Sequence, residues 1–151
     1  MKLYWLAGPL AAFALSGCAS ITGESTAARD PNFDPAACYQ RIFSVYFESM
    51  QQEMSPEAQE AVDAVENSLR GCRITHVRIV GLAGAPGDVE ENEELSQQRA
   101  EIVADYLEQN TDWPRSRFEL IARGEEGATN EEGLQRPMRR RAVVRVQASA
   151  P

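Results

Sequence analysis

The first eighteen residues constrain this chain more than any other stretch. Met1 and Lys2 form a short positive start, Leu3 to Leu15 is an apolar run broken only by Gly8 and Pro9, and the small residues Ser16 and Gly17 lead into Cys18. This is the three-part order of a secretory signal. The apolar run falls short of the roughly 20 residues needed to cross a bilayer, so export and removal of residues 1–17 are expected rather than a transmembrane helix. Removal leaves 134 of the 151 residues. That length suits one domain with a core of its own and does not comfortably hold two.

Leu15-Ser16-Gly17-Cys18 resembles the bacterial lipobox, in which the cysteine receives a diacylglyceryl group and the chain is cut before it. The other reading is an ordinary signal with a chance cysteine, since small residues precede both kinds of cleavage site. One acyl chain anchors only marginally, whereas two or more hold stably, so lipid such as palmitate on Cys18 would tether a soluble domain to a membrane. Ala19 lacks the aspartate associated with inner-membrane retention in some bacteria, which points to the outer membrane. Ala19 to Ala37 carries Gly, Ser, Thr, Asp and Pro with few large apolar residues, and residues 18–39 are expected as a flexible tether.

The signal takes the sole lysine with it, leaving 14 arginines against 23 acidic residues, a net charge of −9 compared with −8 for the whole chain. An acidic surface argues against nucleic acid or anionic lipid as the main partner, because both need basic patches. The local exception is Arg139, Arg140 and Arg141. These either pair with Glu125, Glu126, Glu131 or Glu132 in the adjoining loop or form a docking surface for an acidic partner. With Cys18 lipidated, Cys38 and Cys72 remain as an even pair in an oxidising space. Each precedes a strand-like run, so strands running the same way would bring them to one end of a sheet. Two buried free thiols are the alternative.

From residue 40 the pattern is regular. Phe43, Val45 and Phe47 alternate with Ser44 and Tyr46, as in a half-buried strand over Ile42 to Phe47. Ser55-Pro56-Glu57 reads as a helix start, followed by Ala58, Ala61, Val62, Val65 and Leu69 at helical spacing, with Gly71 as terminator. A second strand over Ile74 to Val80 is expected to turn Thr75, Val77 and Ile79 one way and His76 and Arg78 the other, with one face meeting water. His76 is read as an exposed strand residue rather than a metal ligand or base. A Gly-rich turn, Gly81 to Gly87, leads to a second helix near Asn92, and Phe118 to Ala122 and Ala142 to Val146 supply two further strands. The resulting order β-α-β-α-β-β implies an α+β two-layer sandwich.

Leu95, Arg99, Ile102 and Tyr106 fall along one helical stripe, so Arg99 interrupts an apolar face. A buried guanidinium needs a partner, and its planar fork suits a carboxylate. That carboxylate comes either from the protein, with Asp88, Glu48 or a neighbouring acid as candidates, or from a ligand.

Gly81, Gly87, Asn92, Leu95-Ser96 and Arg99-Ala100 stand in the register of the OmpA-family carboxy-terminal domain, whose signature runs G-H-T-D, two residues, G, four residues, N, two residues, L-S, two residues, R-A. Val45-Tyr46-Phe47-Glu48 looks like that family's opening strand, Ser55-Pro56-Glu57-Ala58 like the start of its first helix, and Arg136-Pro137-Met138-Arg139-Arg140-Arg141 like its closing R-x-x-N-R-R. The resemblance covers residues 40–147 and implies a mixed four-stranded sheet and non-covalent binding of peptidoglycan. It further implies that the stem-peptide diaminopimelate is held beside the second helix, with Arg99 pairing with a carboxylate. The aspartate that would answer the ligand's amino group falls at Gly84, and His and Thr of the signature are Leu82 and Ala83. Asp88 and Glu48 are the acids available to substitute, so the candidate peptidoglycan-binding set is Arg99, Asn92, Glu48 and Asp88. A lipobox joined to this domain is the plan of peptidoglycan-associated lipoproteins.

No His/Cys metal cluster, nucleophile elbow, P-loop or dinucleotide fingerprint occurs, so neither a metal, a cofactor nor an enzyme is expected. Carboxylates are abundant, and spacing alone leaves a glycosidase-type pair open. Two functions follow from the residues and the resemblance. One is an outer-membrane lipoprotein whose domain, in the periplasm, grips the cell wall. The other is a degenerate module that lost the ligand site with Gly84 and serves as a protein-interaction scaffold in an envelope complex.

Overall fold

The computed structural model describes residues 33–48, 53–84, 87–134, 136 and 139–151. The expected signal peptide, Cys18 and the tether as far as residue 32 lie outside the described residues, as do Pro137 and Met138. The elements are β1 (Arg41–Tyr46), α1 (Pro56–Ser68), β2 (Arg73–Leu82), α2 (Val89–Asn110), β3 (Phe118–Ala122) and β4 (Arg141–Ser149). They form the expected α+β arrangement with a mixed four-stranded sheet ordered β1-β4-β2-β3. Strand β4 is antiparallel to β1 and to β2, and β2 is parallel to β3. Thus β1 and β2 run in the same direction, with β4 between them.

Alternation sets the core. Val45 and Phe47, Val77 and Ile79, and Val144 and Val146 bury one sheet face against Val62 and Leu69 from α1 and its C-cap and Val103 and Leu107 from α2. Helix α1 starts as its sequence implies: the Ser55 hydroxyl accepts from the Ala58 N–H at 3.2 Å and Pro56 occupies the first turn. Ala61, at helical spacing with the apolar residues, is nevertheless exposed.

Three expectations of detail are corrected. In β2 the register against β4 slips between Ile74 and His76, so Thr75 sits in a bulge and Ile74 is the residue turned inward. An extra residue on one strand resets the alternation that follows, which is why a strict period of two misplaces Thr75. Its hydroxyl donates instead to the Gln147 carbonyl at 3.1 Å. Helix α2 begins at Val89 rather than near Asn92, because Asp88 caps it and Glu91 closes a capping box. The buried face of α2 runs through Asn92, Ser96, Arg99, Ala100, Val103 and Leu107, whereas Leu95, Ile102 and Tyr106 flank it half-buried.

That face is lined with small residues because the helix lies very close to the sheet. A Cβ added at Gly81 would fall 1.8 Å from the Ser96 carbonyl oxygen. Glycine is therefore required at Gly81 by close approach of two backbones rather than by a turn.

Cys38 and Cys72 form a disulfide with Cα atoms 5.5 Å apart. It joins the segment ahead of β1 to the segment ahead of β2, two strands that are not neighbours in the sheet. The shared direction of β1 and β2 is what brings them together. The bond closes a loop over a sequence separation of 34 residues. Reduction, or replacement of both cysteines by serine, is expected to lower stability by about 3–4 kcal/mol through loss of that constraint on the unfolded chain. Urea unfolding with and without a thiol reductant measures it, and coincident curves would show that the bond contributes nothing.

Candidate functional site

Of the residues singled out in the sequence, Arg99 lies midway along α2 at the end of the sheet where β1 and β2 stop, whereas Asn92 is near the start of α2 and Asp88 is its N-cap. Arg99 is the largest fully buried side chain, with no exposed surface. Its Nη1 donates to the carbonyl of Leu82, the last residue of β2, at 3.1 Å, and its Nη2 to the carbonyl of Glu48, just past β1, at 3.4 Å. The Phe47 ring lies 5.2 Å from its guanidinium carbon. Arg99 thus clasps two strand ends to one helix.

Of the two partners left open for Arg99, a protein carboxylate and a ligand carboxylate, the first is not found among the described residues. Among the described residues no carboxylate bonds Arg99; carbonyl oxygens take that place, and Nε is buried without a partner. A guanidinium offers five N–H groups, so the clasp leaves donors unused. Burial, and then the nearby charge of Arg140, lower the pKa of Arg99. An arginine stays charged all the same. The site is therefore a cation met by carbonyl oxygens, and by no carboxylate among the described residues, beneath the ends of two strands.

The other candidates are in different states, and only Glu48 meets Arg99. Asp88 is committed to capping: its carboxylate accepts from the Glu90 N–H at 2.8 Å. Glu48 contributes its backbone carbonyl to Arg99, while its residue is exposed. Asn92 is buried, two helical turns before Arg99, and its side-chain amide donates to Glu125 at 3.1 Å. Glu48 is thus brought to Arg99 through its backbone, and neither Asp88 nor Asn92 bonds to it.

Ser96 was not singled out by chemistry, yet it organises the neighbouring loop. Its hydroxyl accepts from the Gly124 N–H at 2.9 Å and donates to the Glu93 carbonyl at 2.8 Å. The Ala83 N–H in turn donates to the Gly124 carbonyl at 2.7 Å. With the Asn92–Glu125 bond, these contacts fasten the loop after β3 to the start of α2. The sequence signal was present in the small residues Ser96 and Ala100, which lie beside the apolar stripe.

The arginine-rich segment does not follow the expected pairing in full. Arg139 donates from Nη2 to the Glu126 carbonyl oxygen rather than to a carboxylate. Arg141 lies 6.0 Å from the Tyr46 ring centre. The loop acid Glu126 instead pairs with Arg123 at 2.8 Å. The reason is local: Gly127, at φ +68°, brings the loop backbone against the Arg139 guanidinium, so a carbonyl reaches it first. His76, as expected, is on a strand, where it meets Glu119 at 3.0 Å.

A β-α-β-α-β-β domain with a buried arginine clasping β1 and β2 to α2 defines the class. The chain belongs to the OmpA family, whose profile matches residues 46–141. Among solved structures it is similar to the OmpA-like domain of FopA1 from Francisella tularensis subsp. tularensis SCHU S4, at 21% identity over 74% of this chain and 73% of that one, with a TM-score of 0.61. It is also similar to the peptidoglycan-associated lipoprotein from Burkholderia pseudomallei, at 25% identity over 79% and 98% of the two chains and a TM-score of 0.52. A third likeness is to the cell wall anchor of the T6SS from Pseudomonas aeruginosa, at 22% identity over 74% and 83%, with a TM-score of 0.55. A search of curated proteins found no match.

Proposed function

We propose that this protein is an outer-membrane lipoprotein, anchored through lipid on Cys18, whose domain binds peptidoglycan non-covalently in the periplasm and so links membrane to wall. The observation that carries the binding reading is Arg99: a fully buried cation, unpaired with any carboxylate among the described residues, with N–H donors to spare. Its natural complement is a carboxylate, and the diaminopimelate of the stem peptide supplies one. Asn92, Glu48 and Asp88 line the approach in this reading. The names of two similar structures, a peptidoglycan-associated lipoprotein and a cell wall anchor, support it. The chemistry asked of the site is binding, without a reaction step.

A second reading has its own observations. Gly84 offers no side chain for a ligand's amino group, and Arg99 has no exposed surface, so a ligand reaches it only by displacing what covers it. On that reading the domain is a protein-interaction scaffold in an envelope complex and Arg99 is purely structural. Co-sedimentation with purified sacculi separates the two: retention supports the first, and no retention where an authentic wall-binding family member sediments sinks it. Gly84→Asp is expected to tighten retention roughly tenfold or more by restoring the anionic partner of a charge pair. An unchanged affinity would show that Gly84 does not border the ligand.

A further inference from the structure

Neither α1 nor α2 covers the opposite sheet face, and the strand register fixes what it displays. Ile42 of β1 lies opposite Arg145 of β4, Arg145 opposite Arg78 of β2, and Arg78 opposite Glu119 of β3. Two residues further along comes a row of Ser44, Val143, Val80 and Ile121, and beyond it Tyr46 opposite Arg141, which on its other side meets the buried Leu82. Ile42 and Tyr46 are 53% and 46% exposed, two of the few large apolar side chains left so open. The face is thus apolar with three arginines in a chain of net charge −8.

Folding alone gives no reason for this arrangement. Like charges directly opposite on neighbouring strands are destabilising, and Arg78 stands directly opposite Arg145. Arg78 is compensated by Glu119 at 2.8 Å, which also holds that carboxyl below its usual range. Arg145 is exposed and its side chain has no partner among the described residues. An exposed surface that mixes apolar side chains with charge of predominantly one sign is the anatomy of an interaction surface.

We infer that this uncovered sheet face docks a segment of another envelope protein carrying carboxylates beside apolar side chains. The carboxylates sit against Arg145 and Arg141, and the apolar groups cover Ile42, Tyr46 and the valine row. Charge decides the occupant. A second copy meeting the same face would set arginine against arginine. An anionic membrane laid across the whole face would bring phosphate against Glu119 on the edge strand β3. A protein segment can leave that point empty or place a donor there. The surface is separate from the Arg99 clasp and does not depend on wall binding.

Titration of the isotope-labelled mature chain with a synthetic peptide of alternating glutamate and phenylalanine tests this, with phosphatidylglycerol vesicles as a parallel probe. Saturable shifts are expected at Ile42, Tyr46, Val143 and Arg145. Arg145→Glu should weaken the peptide at least tenfold while its melting temperature stays level or rises, since the change removes a like-charge pair. Sacculus retention of that variant should equal the parent's, which keeps this surface distinct from the Arg99 site. The inference is overturned by an absence of saturable shifts, by shifts centred on Arg99, or by equal affinity in Arg145→Glu. Binding of vesicles instead of peptide, or a dimer formed through this face, would overturn it as well.

Discussion

Replacing Gly81 with alanine is expected to destabilise the domain by about 3 kcal/mol or more, at the upper end of what overpacking costs. The added methyl would lie 1.8 Å from the Ser96 carbonyl oxygen, which is helix backbone and cannot rotate aside. Relief requires α2 to move away from β2. That movement would break the Ser96 bond to Gly124 and loosen the small-residue face of Ala100 and Ala104. Urea unfolding measures the loss, and amide exchange should show the protection of α2 falling before that of β1. Parent-like stability would mean that helix and sheet are not pressed together as closely as the geometry has them.

Arg99→Ala is expected to cost about 2–5 kcal/mol of stability, because it opens a cavity and leaves the carbonyls of Leu82 and Glu48 without their donor. Lost sacculus retention in that variant is therefore ambiguous by itself. Arg99→Lys resolves it. An ammonium keeps the charge and much of the volume but lacks the planar fork that binds a carboxylate through two N–H groups. Lysine should recover most of the urea midpoint while retention stays at least tenfold below the parent's. Parent-like retention in Arg99→Lys would remove the fork from the ligand contact and favour the scaffold reading.

Where a pattern rests on local periodicity, the sequence was sufficient to read it. The alternation of Phe43, Val45 and Phe47, the Ser55-Pro56-Glu57 start of α1 and the strand at Phe118–Ala122 all appear where the residues imply. The disulfide, one of two readings left open for Cys38 and Cys72, is also formed. What escaped is set by partners distant in sequence. The bulge at Thr75 exists only in relation to Gln147 on β4. The rotation of α2 follows from the Gly81 contact with Ser96, 15 positions on, where the need for close approach outweighed the larger apolar residues beside it. Arg99 was legible as a buried cation in need of a partner. That the partners are two carbonyls could be known only once the ends of β1 and β2 were placed beside it.

The disulfide also has a mechanical side. It stands where β1 and β2 begin, and the Arg99 clasp stands where they end, roughly 20 Å further along at the rise of an extended chain over the six residues of β1. Suppose the protein does bridge a membrane and a wall. A pull on the amino-terminal tether would then enter at Cys38, pass through a covalent link into two strands at once, and leave at the opposite end of the sheet. Both strands would be loaded lengthwise, so their ladders to β4 would be sheared together instead of unzipped one bond at a time. On that supposition the domain would resist hardest when pulled along its strands.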